Sequence, residues 1–565
     1  MKLKYYNKTA LAVLILSFLM SSCRSVESGN SENIIDPPVS VGDASVVVNL
    51  LGSEFVESDG NNPQASTGKQ LRNPQAKETY YTLTSPSTLL AAEVSEDTSV
   101  PLNTSAGINP VALVEGDPLV NGTKFRLIAY KMDGSYAGSK DFAVGTTSTS
   151  GLRLPKGVPY WMVVYSYGTN YLSGISPSET MSLGNAKHTY DNMVGQNGFL
   201  YQIQMLTPQE GDNTMSVVLR HKIAQVTTKI NSSALSAPNN ITSVTSATLI
   251  GNNKNAEFNL SNGSTANRST SQNVETTFGQ SPSTEWTSNA VFINADSPVN
   301  KTISFSANIA INNQTAKPVT ITNGFSINPG YRTTYKINLK ETKCGAVVLG
   351  VFREFECYNV GATKNGNPFT PSAAIHGGKY QWDGKKMVQN YDQTNIYANP
   401  GTGTDTDNTF GAGNITNENS MGLVCPPDYR VPSKDEWDSF IQANTLGLHT
   451  LSKISTGSTV YDSGIIVTYG GKITLFLPLA GYRSYISDPL NSNFGKFFKV
   501  ITGGNGIYWS STAVPNSFGT SVYNAYSLDF GDSSNSPGFT LNVGSNTPRR
   551  NGASLRCIKK LQGEP

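Results

Sequence analysis

The chain is poor in charge. Only 15% of its residues are Asp, Glu, Lys or Arg, against roughly 25% in an average protein. Its 42 basic and 40 acidic residues leave a net charge of +2. No basic stretch is interleaved with aromatics, which argues against nucleic acid as a partner. The four histidines are scattered and no Cys-x-x-Cys occurs, so the sequence predicts no metal site and no cofactor. A Gly-x-Ser-x-Gly elbow, a His-Glu-x-x-His helix and a phosphate loop are all missing, and the expectation is that the protein is not an enzyme. Beyond residue 23 no apolar run is long enough to cross a membrane, and long amphipathic helical patterns are nearly absent before residue 430. What remains is a large chain rich in Asn, Ser, Thr and Gly, long enough for about three or four domains.

The N-terminus reads as an export signal. Lys2, Lys4 and Lys8 form a basic region, Ala10 to Met20 is apolar, and Ser21-Ser22 places small residues before Cys23. That apolar run is too short to span a bilayer, which takes roughly 20 residues. The pattern resembles the lipobox of bacterial lipoproteins, with Met20 where Leu is usual. The resemblance implies that residues 1–22 are removed and that Cys23 carries the lipid, several acyl chains giving stable anchoring. Residues 23–43, polar and containing Pro37-Pro38, then read as a tether.

With Cys23 assigned to lipid, Cys344, Cys357, Cys425 and Cys557 remain, an even number in an oxidising compartment. Four cysteines allow three pairings; 344–357 with 425–557 is favoured. The longer bridge would contribute about 4–5 kcal/mol in the chain-entropy model. Their clustering marks residues 341–565 as a separate stapled domain.

From Ala44 onward the chain is β-rich. Ser45 to Leu51 is a strand candidate, Phe125 to Tyr130 alternates and turns at Lys131-Met-Asp-Gly134, and Pro159 to Tyr167 is another strong strand. Asn121-Gly-Thr-Lys-Phe-Arg-Leu-Ile-Ala-Tyr130 and Leu152-Arg-Leu-Pro-Lys-Gly-Val-Pro-Tyr-Trp161, each with its continuation, resemble the fimbrillin family of Bacteroidota lipoprotein pilins. Val217 to Ile230 is similar to the strand that opens the second sandwich of that family. The resemblance implies a mainly β fold of two tandem transthyretin-like β-sandwiches, over 44–198 and 199–340. It also implies assembly by strand exchange with other fimbrillin subunits. An N-terminal strand, here Ser45–Leu51, would leave after cleavage following an Arg, here Arg72, and a partner's strand would fill the groove. His221, flanked by Arg220 and Lys222 with no second His nearby, reads as structural.

In the C-terminal region, Ser433 and Glu436 have capping-box spacing, and Trp437, Phe440 and Ile441 recur at i, i+3, i+4. Strand-like pieces follow at Leu475–Arg483, Ile507–Thr512, Ala525–Phe530 and Ala553–Lys559. This order, with Phe355-Glu-Cys-Tyr-Asn-Val-Gly-Ala362 and Tyr380-Gln-Trp-Asp383 upstream, resembles the Fibrobacter succinogenes major paralogous domain. That resemblance implies an α+β C-type-lectin-like fold over 341–565. Tyr482, Tyr485, Tyr508, Trp509 and Tyr523 form a candidate ligand surface for a host or bacterial surface glycan or protein. Asp405-Thr-Asp407-Asn408 and Asp529-Phe-Gly-Asp532 could offer oxygen ligands to calcium, but neither has the EF-hand spacing, and solvated loops are the default. The expected protein is an outer-membrane, lipid-anchored fimbrial tip or accessory adhesin. A nonpolymerising surface glycan-binding lipoprotein is the alternative.

Overall fold

The computed structural model describes residues 44–56, 78–96, 117–146, 150–193, 195–279, 281–364, 367–382, 387–389, 397–398, 425–455, 461–486, 490–492, 497–500, 505–515, 524–532, 539–549 and 551–564. Cys23, Arg72, Asp405–Asn408 and Tyr523 lie outside them.

Up to Lys343 the described chain is built from strands. They begin with β1 (Ala44–Glu54), β2 (Glu78–Ser85), β3 (Thr88–Glu96), β4 (Lys124–Lys131), β5 (Tyr136–Ala143) and β6 (Leu152–Leu154). Next come β7 (Tyr160–Ser166), β8 (Lys187–Asp191), β9 (Leu200–Leu206), β10 (Gly211–His221), β11 (Ala224–Asn231) and β12 (Ile241–Asn259). The series ends with β13 (Thr265–Glu275), β14 (Glu285–Thr287), β15 (Val291–Ile293), β16 (Ile303–Ile311), β17 (Lys317–Phe325) and β18 (Arg332–Lys343).

These strands form three sheets. The first is ordered β5-β4-β7-β9-β10-β1-β6. It curls until its edge strands β5 and β6 touch, enclosing Val46, Leu127, Leu152, Met162, Met215 and Val217. The opposite face of β4 and β7 buries Ile128, Tyr130, Val163 and Tyr165 against Phe199 and Phe258. Both faces of these strands are covered, which is why they read as nearly continuous apolar runs. The second sheet is β14-β11-β18-β3-β2 with β15 beside β11, and the third is β13-β12-β16-β17 with β8 beside β12. Their inner faces meet over Val94, Ile337 and Leu339 on one side and Phe305, Ile309 and Ile321 on the other, the arrangement of a sandwich.

The sheets do not follow the expected division at residues 198 and 199. β2 and β3 belong to the second sheet, where β3 pairs antiparallel with β18 from Tyr335↔Glu96 to Lys343↔Thr88. Leu90, Ala92 and Val94 alternate into the sandwich core, and that core accepts them because Ile337 and Leu339 stand on the same face. β8 joins the third sheet, while β9 and β10 close the first. The stretch Val217–Ile230 is not one strand opening a second sandwich. It breaks after His221, so that β10 ends in the first sheet and β11 begins in the second.

From Gly345 the described chain forms a further unit with an α-helix, α1 (Lys434–Thr445), a short 3-10 turn at Ala373–Ile375 and several short sheets. Ser433 caps α1 as its spacing predicts: its hydroxyl accepts from the Glu436 amide, and the Glu436 carboxylate accepts from the Ser433 amide at 2.8 Å. Trp437 and Phe440 are fully buried, with Ile441 packed at the edge of the same core. Disulfides join Cys344 to Cys357 and Cys425 to Cys557. Close to the second bridge, Tyr429–Arg430 pairs with Ile558–Lys559.

Candidate functional site

β1 is the exceptional strand of the first sheet. It runs parallel to β10 from Ala44↔Gly211 to Glu54↔Arg220, although a span of more than one hundred residues separates them in sequence. On its other side β6 covers only Ala44, Ser45 and Val46. Past Val46, among the described residues, that side has no strand and only the single bridge of Ser53 to Asp117. Val46 is wholly buried, and Val47, Val48 and Leu50 are partly buried against the same cluster. The covered end is tight. A Cβ on Gly151 would lie 2.5 Å from the Val46 carbonyl oxygen, so only glycine allows the chain before β6 to approach so closely.

The other end of β1 crosses from the first sheet to the second. The amide of Val56 donates to the Gly330 carbonyl at 2.8 Å, and Ser53 and Asp117 exchange backbone hydrogen bonds of 2.9 and 2.7 Å. Between them Phe55 stacks on His221, with ring centres 3.5 Å apart and planes 7° from parallel. The Arg332 guanidinium lies over the Phe55 ring, 4.5 Å from its centre; because the imidazole occupies one face, the cation takes the other. Arg332 is held by Asp117 at 2.9 Å and by Gln225 at 3.0 Å. Phe292 stacks near the imidazole at 5.9 Å. Burial, reinforced by the positive charge of Arg332, pushes His221 down to about 3 despite Asp117, so its ring is neutral at pH 7. Its Nδ1 is buried with no hydrogen-bond partner among the described residues. His221 is structural, as its flanks suggest, but it is also one wall of a socket.

The half of the first sheet remote from β1 is held by buried charge. The Glu179 carboxylate accepts from the Tyr165 hydroxyl, lies 3.1 Å from His188 Nδ1, and takes the amide and hydroxyl of Ser176 at 2.7 and 2.9 Å. The Arg126 guanidinium, 3.7 Å away, is forked onto Asp141 at 2.6 and 2.8 Å. Burial raises the Glu179 carboxyl, but the hydrogen bonds and charge of His188, with those from Tyr165 and Ser176, outweigh it and leave the group at about 2.

The aromatic surface expected in the C-terminal unit is smaller than the sequence suggests. Tyr508 and Trp509 are fully buried. The Tyr508 hydroxyl donates to the Pro478 carbonyl at 2.9 Å and the Trp509 indole to that of Tyr380 at 2.7 Å. Each polar tip finds an internal partner, which removes the reason for it to face water. Tyr482 and Tyr485 are half-buried on one short strand and are the described members of the set that reach solvent. Asp529 is half-buried, and burial pushes its carboxyl up to about 6 against a hydrogen bond from Ser527. Among the described residues no three His, Cys, Asp or Glu side chains are grouped to hold a metal ion.

Sequence reasoning missed the Phe55 socket. The one available signal was an aromatic residue placed directly after a strand and before a polar stretch. Its partners, His221 and Arg332, are distant in the chain.

Residues 119–351 match the family model described as fimbrillin-like. No curated protein matches the chain. Among solved structures, the chain is similar to a candidate cell adhesion protein of Bacteroides uniformis, with 11% identity over 39% of this chain and 91% of that one, at a TM-score of 0.28. A candidate cell adhesion protein of Bacteroides fragilis gives 12% identity over 54% of this chain and 100% of the other, with a TM-score of 0.28. A candidate adhesin of Bacteroides thetaiotaomicron gives 8% identity over 41% and 90%, also at 0.28. At such scores these likenesses add nothing to the fold, which stands on the strand pairing described above.

Proposed function

We propose that the protein is a cell-surface adhesion subunit whose β1 is an exchangeable strand. The observation that carries this reading is the placement of β1: a full-length parallel pairing with β10 on one side and three covered residues on the other. Its departure would leave β10 with unpaired backbone groups and a groove lined by Met215 and Val217, which another strand would fill. The fimbrillin-like match over residues 119–351 supports the same reading. In it, Cys23 carries the lipid that fixes the protein to the outer membrane, and Arg72 is the cut site that frees β1. Residues 341–565, folded in the manner of C-type lectins, present a ligand surface at Tyr482 and Tyr485. The strand Ile558–Lys559 is paired and stapled through Cys557, so it is not free to be donated. In this reading the groove left by β1 accepts a donor strand, as in a tip or accessory subunit.

The half-exposed Tyr482 and Tyr485 favour a second reading, a solitary glycan-binding lipoprotein. Limited digestion with an Arg-specific protease separates the two. Under strand exchange the chain is cut after Arg72 while the remainder stays folded, and only the cut form captures a peptide copied from a partner's donor strand. Resistance at Arg72, or equal capture by cut and uncut protein, gives the lead to the solitary binder.

A further inference from the structure

We infer that the socket formed by His221, Phe292 and Arg332 selects which strand may lie beside β10, by requiring an aromatic side chain one residue past the paired segment. The inference rests on the strand-exchange reading and adds to it the identity of the recognised residue. Most of β1 offers little that would distinguish one strand from another. Its pairing with β10 is mostly through the backbone, with a register shift at Gly52, and its inward side chains include the ordinary aliphatics Val46, Val48 and Leu50. Beyond Gly52 and the Ser45 hydroxyl that accepts from the Gly151 amide, many aliphatic strands would satisfy those contacts. The end of the strand is different, because Phe55 meets two groups of definite chemistry. One is a flat, neutral, buried imidazole 3.5 Å from its ring, and the other is a cation 4.5 Å from its centre on the opposite face.

A ring satisfies both faces at once, whereas an aliphatic side chain offers no quadrupole to the guanidinium and no plane to the imidazole. Part of the socket is held by groups outside β1, whereas Asp117 is itself paired with Ser53 of the strand. Arg332 is oriented by Asp117 and Gln225, and His221 is backed by Phe292. Gly330 keeps its backbone against the His221 carbonyl, where an added Cβ would stand 2.7 Å from that oxygen, with a φ of +83° that favours glycine. The contacts of Gln225, Phe292 and Gly330 order part of the socket without the strand, which concentrates discrimination in one side chain. The ion pair of Glu54 with Arg220 sits beside the socket at 2.6 Å, but both side chains are well exposed, so it contributes little. The strand that fits is therefore one with alternating aliphatics and an aromatic nine places after the residue that takes the Val46 position.

The test uses the full chain carrying a site-specific protease sequence inserted within residues 57–77. Cutting there leaves β1 held by non-covalent contacts alone. Labelled peptides of residues 44–56 are then exchanged against it, as wild type, Phe55→Tyr and Phe55→Ala. The wild-type and Phe55→Tyr peptides are expected within about threefold of each other, and Phe55→Ala about tenfold or more weaker. Arg332→Gln in the cut chain should shrink that preference. Equal capture of wild-type and Phe55→Ala peptides overturns the inference and leaves strand exchange standing. Capture of none of the peptides overturns strand exchange and, with it, the inference.

Discussion

Replacing Glu179 by Gln should loosen the half of the first sheet remote from β1, together with the adjacent strand β8. The folded carboxyl sits at about 2 against an ordinary 4.5, and the group is almost fully buried. That gap corresponds to about 3 kcal/mol of stability. The sign follows from the lowered value. An unfolded chain holds its proton more tightly than the folded one, so the contribution is complete above 4.5 and is lost as pH falls through 4.5 towards 2. Glu179→Gln removes the charge, and turns an amide donor towards at least one of the groups that now donate to the carboxylate. At pH 7 the amides of Tyr160–Ser166 and Lys187–Asp191 should then exchange hydrogen about a hundredfold faster than in the wild type, which is about 3 kcal/mol of local protection. At pH 3 the difference should shrink to about 1 kcal/mol, since the wild type has by then lost most of the contribution. Peptide-resolved hydrogen exchange across that pH range reads both quantities. A mutant as protected as the wild type at pH 7, or a difference that does not depend on pH, would refute the assignment of the buried carboxylate as the clamp.

Two further outcomes concern the ends of the molecule. Cys557→Ala opens a bridge that spans 132 residues, and should destabilise the C-terminal unit by about 4 kcal/mol while sparing the three sheets before it; unchanged exchange in that unit would argue against the bridge as its staple. Cys23→Ser should abolish metabolic lipid labelling and move the protein to the soluble fraction, and unaltered membrane fractionation would remove the lipid anchor from the reading.

Local chemistry was legible in the sequence, whereas partnership between distant segments was not. The cap of α1 could be read because Ser433 and Glu436 satisfy each other within one turn. The strands β1, β4 and β7 could be read because a β-strand buried on one or both faces must be apolar in alternation or throughout. The stretches around Asn121–Tyr136 and Leu152–Tyr167, which carry the fimbrillin resemblance, fall inside the matched residues 119–351. Sheet membership is another matter. Nothing in the Leu90, Ala92, Val94 alternation says which sheet will receive it, since any apolar face of the right register would do. Nor does a Tyr-Trp pair declare its exposure. Tyr508 and Trp509 are buried because carbonyls at Pro478 and Tyr380 happen to meet their polar tips, and those partners lie elsewhere in the chain.

If β1 leaves as proposed, the hairpin of β2 and β3 would keep the C-terminal unit in place. Arg72 lies in the sequence between β1 and β2, after Val56 and before Glu78, so a cut there would leave the hairpin on the larger product. β3 is paired along its length with β18, and its turn reaches into the next unit. The carbonyls of Ser87 and Pro86 accept from the amides of Cys344 and Cys357 at 2.8 and 2.9 Å, one from each half of the short disulfide. The Ser87 hydroxyl donates to Glu354 and accepts from Tyr429 at 2.7 Å, while Leu89 is buried in the core of that unit with Phe355 and Trp437. β1 touches none of these groups. Among the described residues its backbone pairs with β10, β6 and Asp117, its side chains pack in the core of the first sheet, and its end meets the seam at Gly330 and Arg332. Among the described residues β1 and the β2–β3 hairpin thus belong to different sheets and different cores, so under strand exchange β1 would leave without removing the contacts that hold the C-terminal unit.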